Sequence, residues 1–487
     1  MLQALCVLAT MNKSTYVTDF TTGSVTRQLL RFALPMLLSQ LLQITYNMAD
    51  MIIVGQVLGK AGLSAVSIGG DLTNCLTFVA MGFSSAGQIL ISQYIGARCH
   101  DKLATLVSTL LLLLLFFALL MTGGCLYERH AIMALMNTPP EAYGETMGYA
   151  VVSMTGILFI YGYNAASAIL RGMGDARHPF YFIACATVLN VILDFVFVCF
   201  WNLGAAGAAL ATVFSQGVSF LAASCFVWRH RSQYYLPASL GEFFHPDLQI
   251  AGDLLKLGIP MAIKNASVQF SKLFVNSWIN SYGVAVSAFS GVANRLYVTS
   301  NLISNAINTA GSSMIGQNIG AARYERVNQI IWSIFRITVT LAILFSILLY
   351  TWPVEIFQIF TDDPEVARIG IEYVPIGILC FFSCAGRSAM NSLINGSGNT
   401  KVNFATALFD GLILRLGLSV LFGVYLNMRY MGFWLGDALA NFTPFWVGIL
   451  FYLSGAWKKG ISPDFVVWSP LVQFLWSLFL VHFMWSS

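Results

Sequence analysis

Charge is what this sequence has least of. Only 9% of its 487 residues are charged, 57% are hydrophobic, and the mean hydropathy is +0.73. A soluble domain carries about 25% charged residues. A string of soluble domains is therefore excluded, and the composition is that of an all-α polytopic membrane protein, in which about 20 apolar residues suffice for each crossing. The net charge of +4 is small, so it concerns membrane topology and not nucleic acid.

Reactive clusters are missing too. The nine cysteines are scattered through apolar runs and none forms CxxC, so they read as small hydrophobic residues and not as a disulfide framework or metal site. The six histidines are isolated, with no HExxH spacing. An intramembrane enzyme would need a nucleophile or metal ligands gathered at one depth, so neither an enzyme nor a cofactor is expected. Residues 1–10 are apolar but too short to span, and they lack the charged start of a signal peptide. Met11-Asn-Lys-Ser reads as the more natural start, with an upstream extension before it.

What is present is a series of long apolar runs: 29–55, 64–92, 103–125, 143–166, 179–200 and 205–228, then 253–280, 287–316, 327–351, 366–392, 403–427 and 432–456. A last run, 465–485, is long enough for a thirteenth helix. With the N-terminus cytoplasmic, inner segments hold fifteen Lys and Arg (Arg98, Arg171, Arg177 and Arg323 among them) and outer loops hold four: Lys60, Arg129, Arg368 and Arg429. Positive-inside bias selects this orientation, as a multi-pass protein of the inner or plasma membrane.

The chain is duplicated. Leu29-Leu-Arg-Phe-Ala-Leu-Pro35-Met36 matches Leu254-Leu-Lys-Leu-Gly-Ile-Pro260-Met261, and Gln93-Tyr-Ile-Gly96-Ala97 matches Gln317-Asn-Ile-Gly320-Ala321. Likewise Arg171-Gly-Met-Gly-Asp175 matches Asn395-Gly-Ser-Gly-Asn399, always at an offset of 224 or 225 residues. Six helices is an even number, so both copies insert the same way and form parallel repeats around an axis along the membrane normal. The organisation is a cytoplasmic segment (1–24), an N-lobe (25–230), a cytoplasmic linker (231–252), a C-lobe (253–458) and a C-terminal segment (459–487). Two like lobes face one another across a cavity.

Inside the apolar runs, the few polar residues mark the work. Asn190 and Asp194 lie four apart on one helical face of the fifth run. Asp50 shares a face with Gln43 and Asn47 in the first. A carboxylate at that depth is a functional-site hypothesis by default. Both helices run in the same direction with their acids past the middle, so the two carboxyls can meet and hold a proton or small cation such as Na⁺. The seventh run carries Asn265, Gln269, Lys272, Asn276 and Asn280 as one polar stripe, more than helix packing requires, so Gln269, Lys272 and Asn276 are expected to line the cavity with Gln43 and Asn47. Arg295 falls opposite Asp71 by the repeat offset, a candidate salt bridge between lobes. Asp410 and Arg415 are five apart, a poor pair in an α-helix.

The duplicated unit, its paired Leu-Pro-Met openings, and the segments Tyr46-Asn47-Met-Ala-Asp50, Gln93-Tyr-Ile-Gly96-Ala97, Arg171-Gly-Met-Gly-Asp175 and Leu189-Asn190-x3-Asp194 resemble the multidrug and toxic compound extrusion (MATE) transporters over roughly residues 25 to 458. The resemblance implies a V-shaped pair of six-helix bundles that exchanges H⁺ or Na⁺ for organic compounds, cationic or amphipathic, by alternating access. It implies a small-molecule substrate, a lipid bilayer, no nucleic acid and a monomer. It adds Thr212 and Asn164 to the cation site of Asp50, Asn190 and Asp194. Leu414 and Leu418 stand where the second half would repeat Asn190 and Asp194, which points to the DinF-like branch with its ion site in the N-lobe. Lys264, Lys272 and Arg295 support the alternative, an exporter or flippase of lipid-linked saccharides or another anionic amphiphile.

Overall fold

The computed structural model describes residues 16–237, 241, 245–360 and 363–459. The expected start at Met11 and the run 465–485 lie outside the described residues. Within them the fold is all helical, with no strand.

The first helix, α1 (Val25–Gly96), takes in both of the first two expected spans. No loop separates them. The chain turns at Gly59 alone, with φ 61° and ψ −143°, a backbone conformation that glycine adopts at little cost and side chains resist. Helices α2 (Leu103–Tyr127), α3 (Tyr143–Gly172), α4 (Arg177–Asp194) and α5 (Gly204–Arg229) complete the first half. The second half holds α6 (Leu248–Asn280), α7 (Val284–Gly320), α8 (Tyr324–Thr351) and α9 (Pro364–Ser397). It ends with α10 (Thr400–Leu408), α11 (Arg429–Ala440) and α12 (Thr443–Ser454). Eight of the described helices are long and apolar enough to cross a membrane by themselves. α6 and α7 are not among them, because their asparagines, lysines and arginine dilute the apolar run.

The repeat is visible in its turns. α3 ends at Gly174 (φ 85°), and Asp175 Oδ1 then accepts from the backbone N–H of Arg177 (3.0 Å) and His178 (3.2 Å) to start α4. In the second copy Gly398 (φ 68°) ends α9 and Asn399 Oδ1 accepts from Val402 N–H at 3.1 Å. Glycine in the left-handed region followed by an Asp or Asn cap is how two helices are joined with few residues.

The bundles interlock at one end. The first turns of α1 (Leu29, Phe32, Met36) pack into a core built by Ile307, Met314, Ile330 and Leu393 of the second half. Leu254, Leu257 and Met261 of α6 pack into the core of the first half. Gly96 and Gly320 cross at this contact: a Cβ on Gly96 would stand 1.9 Å from the carbonyl oxygen of Gln317, and one on Gly320 would stand 2.1 Å from that of Gln93. Gln93 Nε2 donates to Gly396 O (2.9 Å), and Gln88 Nε2 to Ser313 Oγ (2.7 Å). A strap ahead of α1 completes the closure. Phe20 N–H donates to Gln317 Oε1 (2.6 Å), Gln317 Nε2 donates to Thr18 O (2.9 Å), and Arg326 Nε donates to Phe20 O (2.8 Å). On its other side Thr18 N–H donates to Met173 O (3.1 Å), so the strap touches both halves. Among the described residues every hydrogen bond between the helices of the two halves lies at this end, and the bundles diverge from it as a V. No ion pair joins Arg295 to Asp71 among the described residues: the expected bridge falls on the stretch where the halves part.

Candidate cation site and charged cavity wall

Three helices bring the first-half polar residues together. Asp50 comes from α1, Asn190 and Asp194 from successive turns of α4, and Thr212 from α5. Asn190 Nδ2 donates to Thr212 Oγ1 at 3.3 Å, and Thr212 Oγ1 donates to Asp50 Oδ2 at 3.4 Å. Asp50 and Asp194 are close neighbours. Asp50, Asn190 and Asp194 are buried, at 5%, 2% and 0% exposure, and Thr212 is half-buried. Asp194 stands where α4 widens into a π-helical turn, Phe195–Phe200, a distortion frequent at functional sites.

The donors run out before the acceptors do. Asp50 Oδ1, Asn190 Oδ1 and both oxygens of Asp194 are buried without a hydrogen-bond donor. Four inward-facing oxygens suit a proton or a hard cation, which takes oxygen ligands. Tyr149 of α3 also borders the pair, and Tyr46 stands one turn before Asp50. Nothing in the residue pattern singles out Tyr149 from eighteen other tyrosines.

The remaining expected residues are dispersed. Asn164 Nδ2 donates back to Ile160 O of its own helix at 2.8 Å and makes no hydrogen bond with the four. Gln43 is half-buried, and Asn47 and Gln269 are exposed. Lys272 and Asn276 do share a cavity of about 50 Å³, with Tyr297, Asn294, Trp434 and Asp437.

A second cluster lies in the other half. Asp410 and Arg415, badly placed for one another in an α-helix at about 140° apart, are joined because α10 continues as a π-helical turn over Phe409–Leu414. Arg415 Nη2 reaches Asp410 Oδ1 at 2.8 Å, and Nη1 donates to Asp437 Oδ1. Arg415 Nη2 also donates to Asn441 Oδ1 at 3.1 Å. Asn441 sits where the expected twelfth span breaks into α11 and α12, and Arg387 of α9 donates to the same oxygen at 3.3 Å. Interrupted helices beside a polar cluster are tolerated in membranes only where protein or a cavity satisfies the freed groups. Arg387 and Asp437 went unremarked in the sequence, although Asp437 is the lone charge of its run and Arg387 the lone charge between Tyr373 and Thr400, the kind of signal that marks Asp50.

Known proteins share this architecture. The MatE family description matches residues 35–196 and again 260–421, the two halves in register. The probable multidrug resistance protein YpnP of Bacillus subtilis is 27% identical over 441 residues, covering 90% of this chain and 97% of that protein. The probable multidrug resistance protein NorM of Thermotoga maritima is 24% identical over 439 residues, 89% of this chain and 94% of that one. Among solved structures, a MOP superfamily transporter from Pyrococcus furiosus superposes with a TM-score of 0.83 at 22% identity, over 92% of this chain and all of that one. The Vibrio cholerae MATE transporter VcmN in the bent form gives 0.79 at 20%, over 91% and 98%. With both halves matched and in register, the chain belongs to the MatE family of multidrug efflux transporters and is not an enzyme.

Proposed function

We propose that the chain is an antiporter of the plasma membrane, N-terminus cytoplasmic, that exchanges H⁺ or Na⁺ for amphipathic organic compounds by alternating access. The observation that carries this reading is the buried neighbours Asp50 and Asp194, with Asn190 and Thr212 hydrogen-bonded in a chain to Asp50 and four oxygens lacking donors. Two negative charges so placed repel strongly in a low-dielectric setting, and one proton or Na⁺ relieves the repulsion. Occupancy of the site therefore draws α1 towards α4 and α5. Because the first turns of α1 are packed in the other half, that movement is transmitted to the closed end. Residues 25–230 and 253–458 are the two bodies that rock, joined by 231–252. Positive-inside charge supports the orientation.

Inside-out vesicles test this. Uptake of a fluorescent amphiphile would be followed under an imposed proton gradient, then a Na⁺ gradient, for wild type, Asp50→Asn and Asp194→Asn. Gradient-driven uptake that both substitutions abolish at normal expression is the expected result, and the gradient that works names the ion. Transport by both variants at the wild-type rate would leave the acids a structural role only. The second reading, export of lipid-linked saccharides, draws support from the cations of the second half and predicts uptake of an anionic lipid analogue instead.

A further inference from the structure

The second half keeps more positive charge in the membrane region than it neutralises. Inside the bundle Lys264, Lys272, Arg387 and Arg415 stand against Asp410 and Asp437, while Arg295, Arg336 and Glu372 of the same spans are exposed. Both acids are taken by one cation, Arg415. The others rest on uncharged partners: Lys264 Nζ donates to Asn391 Oδ1 at 2.7 Å, Lys272 Nζ lies 3.6 Å above the ring of Tyr297, and Arg387 donates to Asn301 and Asn441. The groups are contiguous. Asn441 Oδ1 is shared by Arg387, Arg415 and, at 3.4 Å, the hydroxyl of Tyr297 on which Lys272 lies.

Charges at this depth are costly, and unpaired ones mark substrate paths. Burial of a charge is offset only by a counter-charge with good geometry. A cluster with two more cations than anions therefore takes its missing negative charge from outside the chain. The place for it is the cavity of about 50 Å³ beside Lys272, which also presents Asn276, Asn294 and Tyr297. Asp437 borders the same cavity, but its carboxylate is held by Arg415. The space takes a head group and not a tail. We propose that this wall of the cavity binds the anionic head, carboxylate or phosphate, of an amphiphilic substrate, with Lys272 in the wall as the residue that selects its sign and Arg387, joined to it through Asn441 and Tyr297, adding positive charge behind it. The first half then handles the coupling cation and the second half the anionic cargo. Calling the ligand cargo rests on the antiport reading; its binding does not.

Binding is measured on the full chain in nanodiscs of zwitterionic lipid, with no ion gradient. Tryptophan fluorescence is the readout, since Trp434 lines the cavity, and empty nanodiscs provide the partition blank. Dodecanoate and dodecyl phosphate are compared with dodecyl maltoside and dodecyltrimethylammonium, and inorganic phosphate is used as competitor. The expected result is binding of at least one anionic amphiphile about tenfold tighter than the uncharged one, or about 1.4 kcal/mol, with no such advantage for the cation. Whichever anion is preferred names the head group. Lys272→Gln with Arg387→Gln should erase the preference, and Arg387→Lys should keep part of it. Equal binding of charged and uncharged amphiphiles by wild type overturns the proposal, as does tighter binding of the cation, or saturation by inorganic phosphate with no further displacement by an amphiphile. The wild-type ratio decides even where a variant fails to fold. Loss of transport in Asp50→Asn leaves this result untouched, and loss of the anion preference leaves the coupling site untouched.

Discussion

Gly96→Ala is the sharpest single perturbation of the closed end. The new methyl would stand 1.9 Å from the carbonyl oxygen of Gln317, and an ordinary contact needs at least 3.4 Å. The helices must therefore part by about 1.5 Å along that line. Both sides are backbone, so no rotamer change can absorb the clash, and the reciprocal contact of Gly320 with Gln93 O must open as well. Overpacking of this kind costs about 1–3 kcal/mol. The penalty applies only to the arrangement in which the two ends touch, so it shifts the balance between closed and open ends by roughly 5–150-fold. Pulsed electron paramagnetic resonance measures this directly. Spin labels replacing the exposed Arg98 and Glu325 report the separation of the two halves at that end. The expected outcome is a second, longer distance population in Gly96→Ala, and substrate export slowed in parallel. A distance distribution and export rate identical to wild type would refute the claim that this glycine crossing is the contact that closes the V.

Arg415→Met would leave the buried Asp410 and the half-buried Asp437 without their partner, at a cost of about 3–5 kcal/mol; thermal unfolding in detergent should show a much lower midpoint, partly restored when both acids are also made leucine. The strap should respond to acid. Burial opposes ionisation of Asp19, but hydrogen bonds from Thr21 and Thr22 and the charge of Arg323 outweigh it and hold the carboxyl below its usual value. A carboxyl lowered in the folded state contributes stability above its unfolded value, and that contribution is lost as pH falls through the folded one. Hydrogen exchange of the strap amides should accordingly quicken below about pH 4 and not between pH 5 and 8.

The elements differ in how far the sequence could reach them. Asn190 and Asp194 are four residues apart, so helical periodicity alone put them on one face, and the lack of water made their role readable. The link from Asn190 to Asp50 runs through Thr212, 162 residues from that aspartate, and no local pattern encodes such a distance; only the family resemblance named that threonine. The Asp410–Arg415 pair fails by local rules and forms through a π-helical turn, a backbone distortion that residue spacing does not announce. The loop expected between the first two spans is instead a single break at Gly59, because one glycine with positive φ suffices where helix propensity persists on both sides.

The sequence by itself determined the solvent and the symmetry. A chain this poor in charge must satisfy its backbone within helices that lie in lipid, and a duplication at constant offset makes two bundles of one kind. What only the tertiary structure decided is which charges find partners. That depends on distances between helices far apart in the chain, and there Arg415 takes both Asp410 and Asp437 while Lys264, Lys272 and Arg387 hydrogen-bond or stack on neutral partners. Composition fixes how many charges enter the membrane, but Coulomb energy falls with separation, so only the packed helices set which of them remain for a ligand to neutralise.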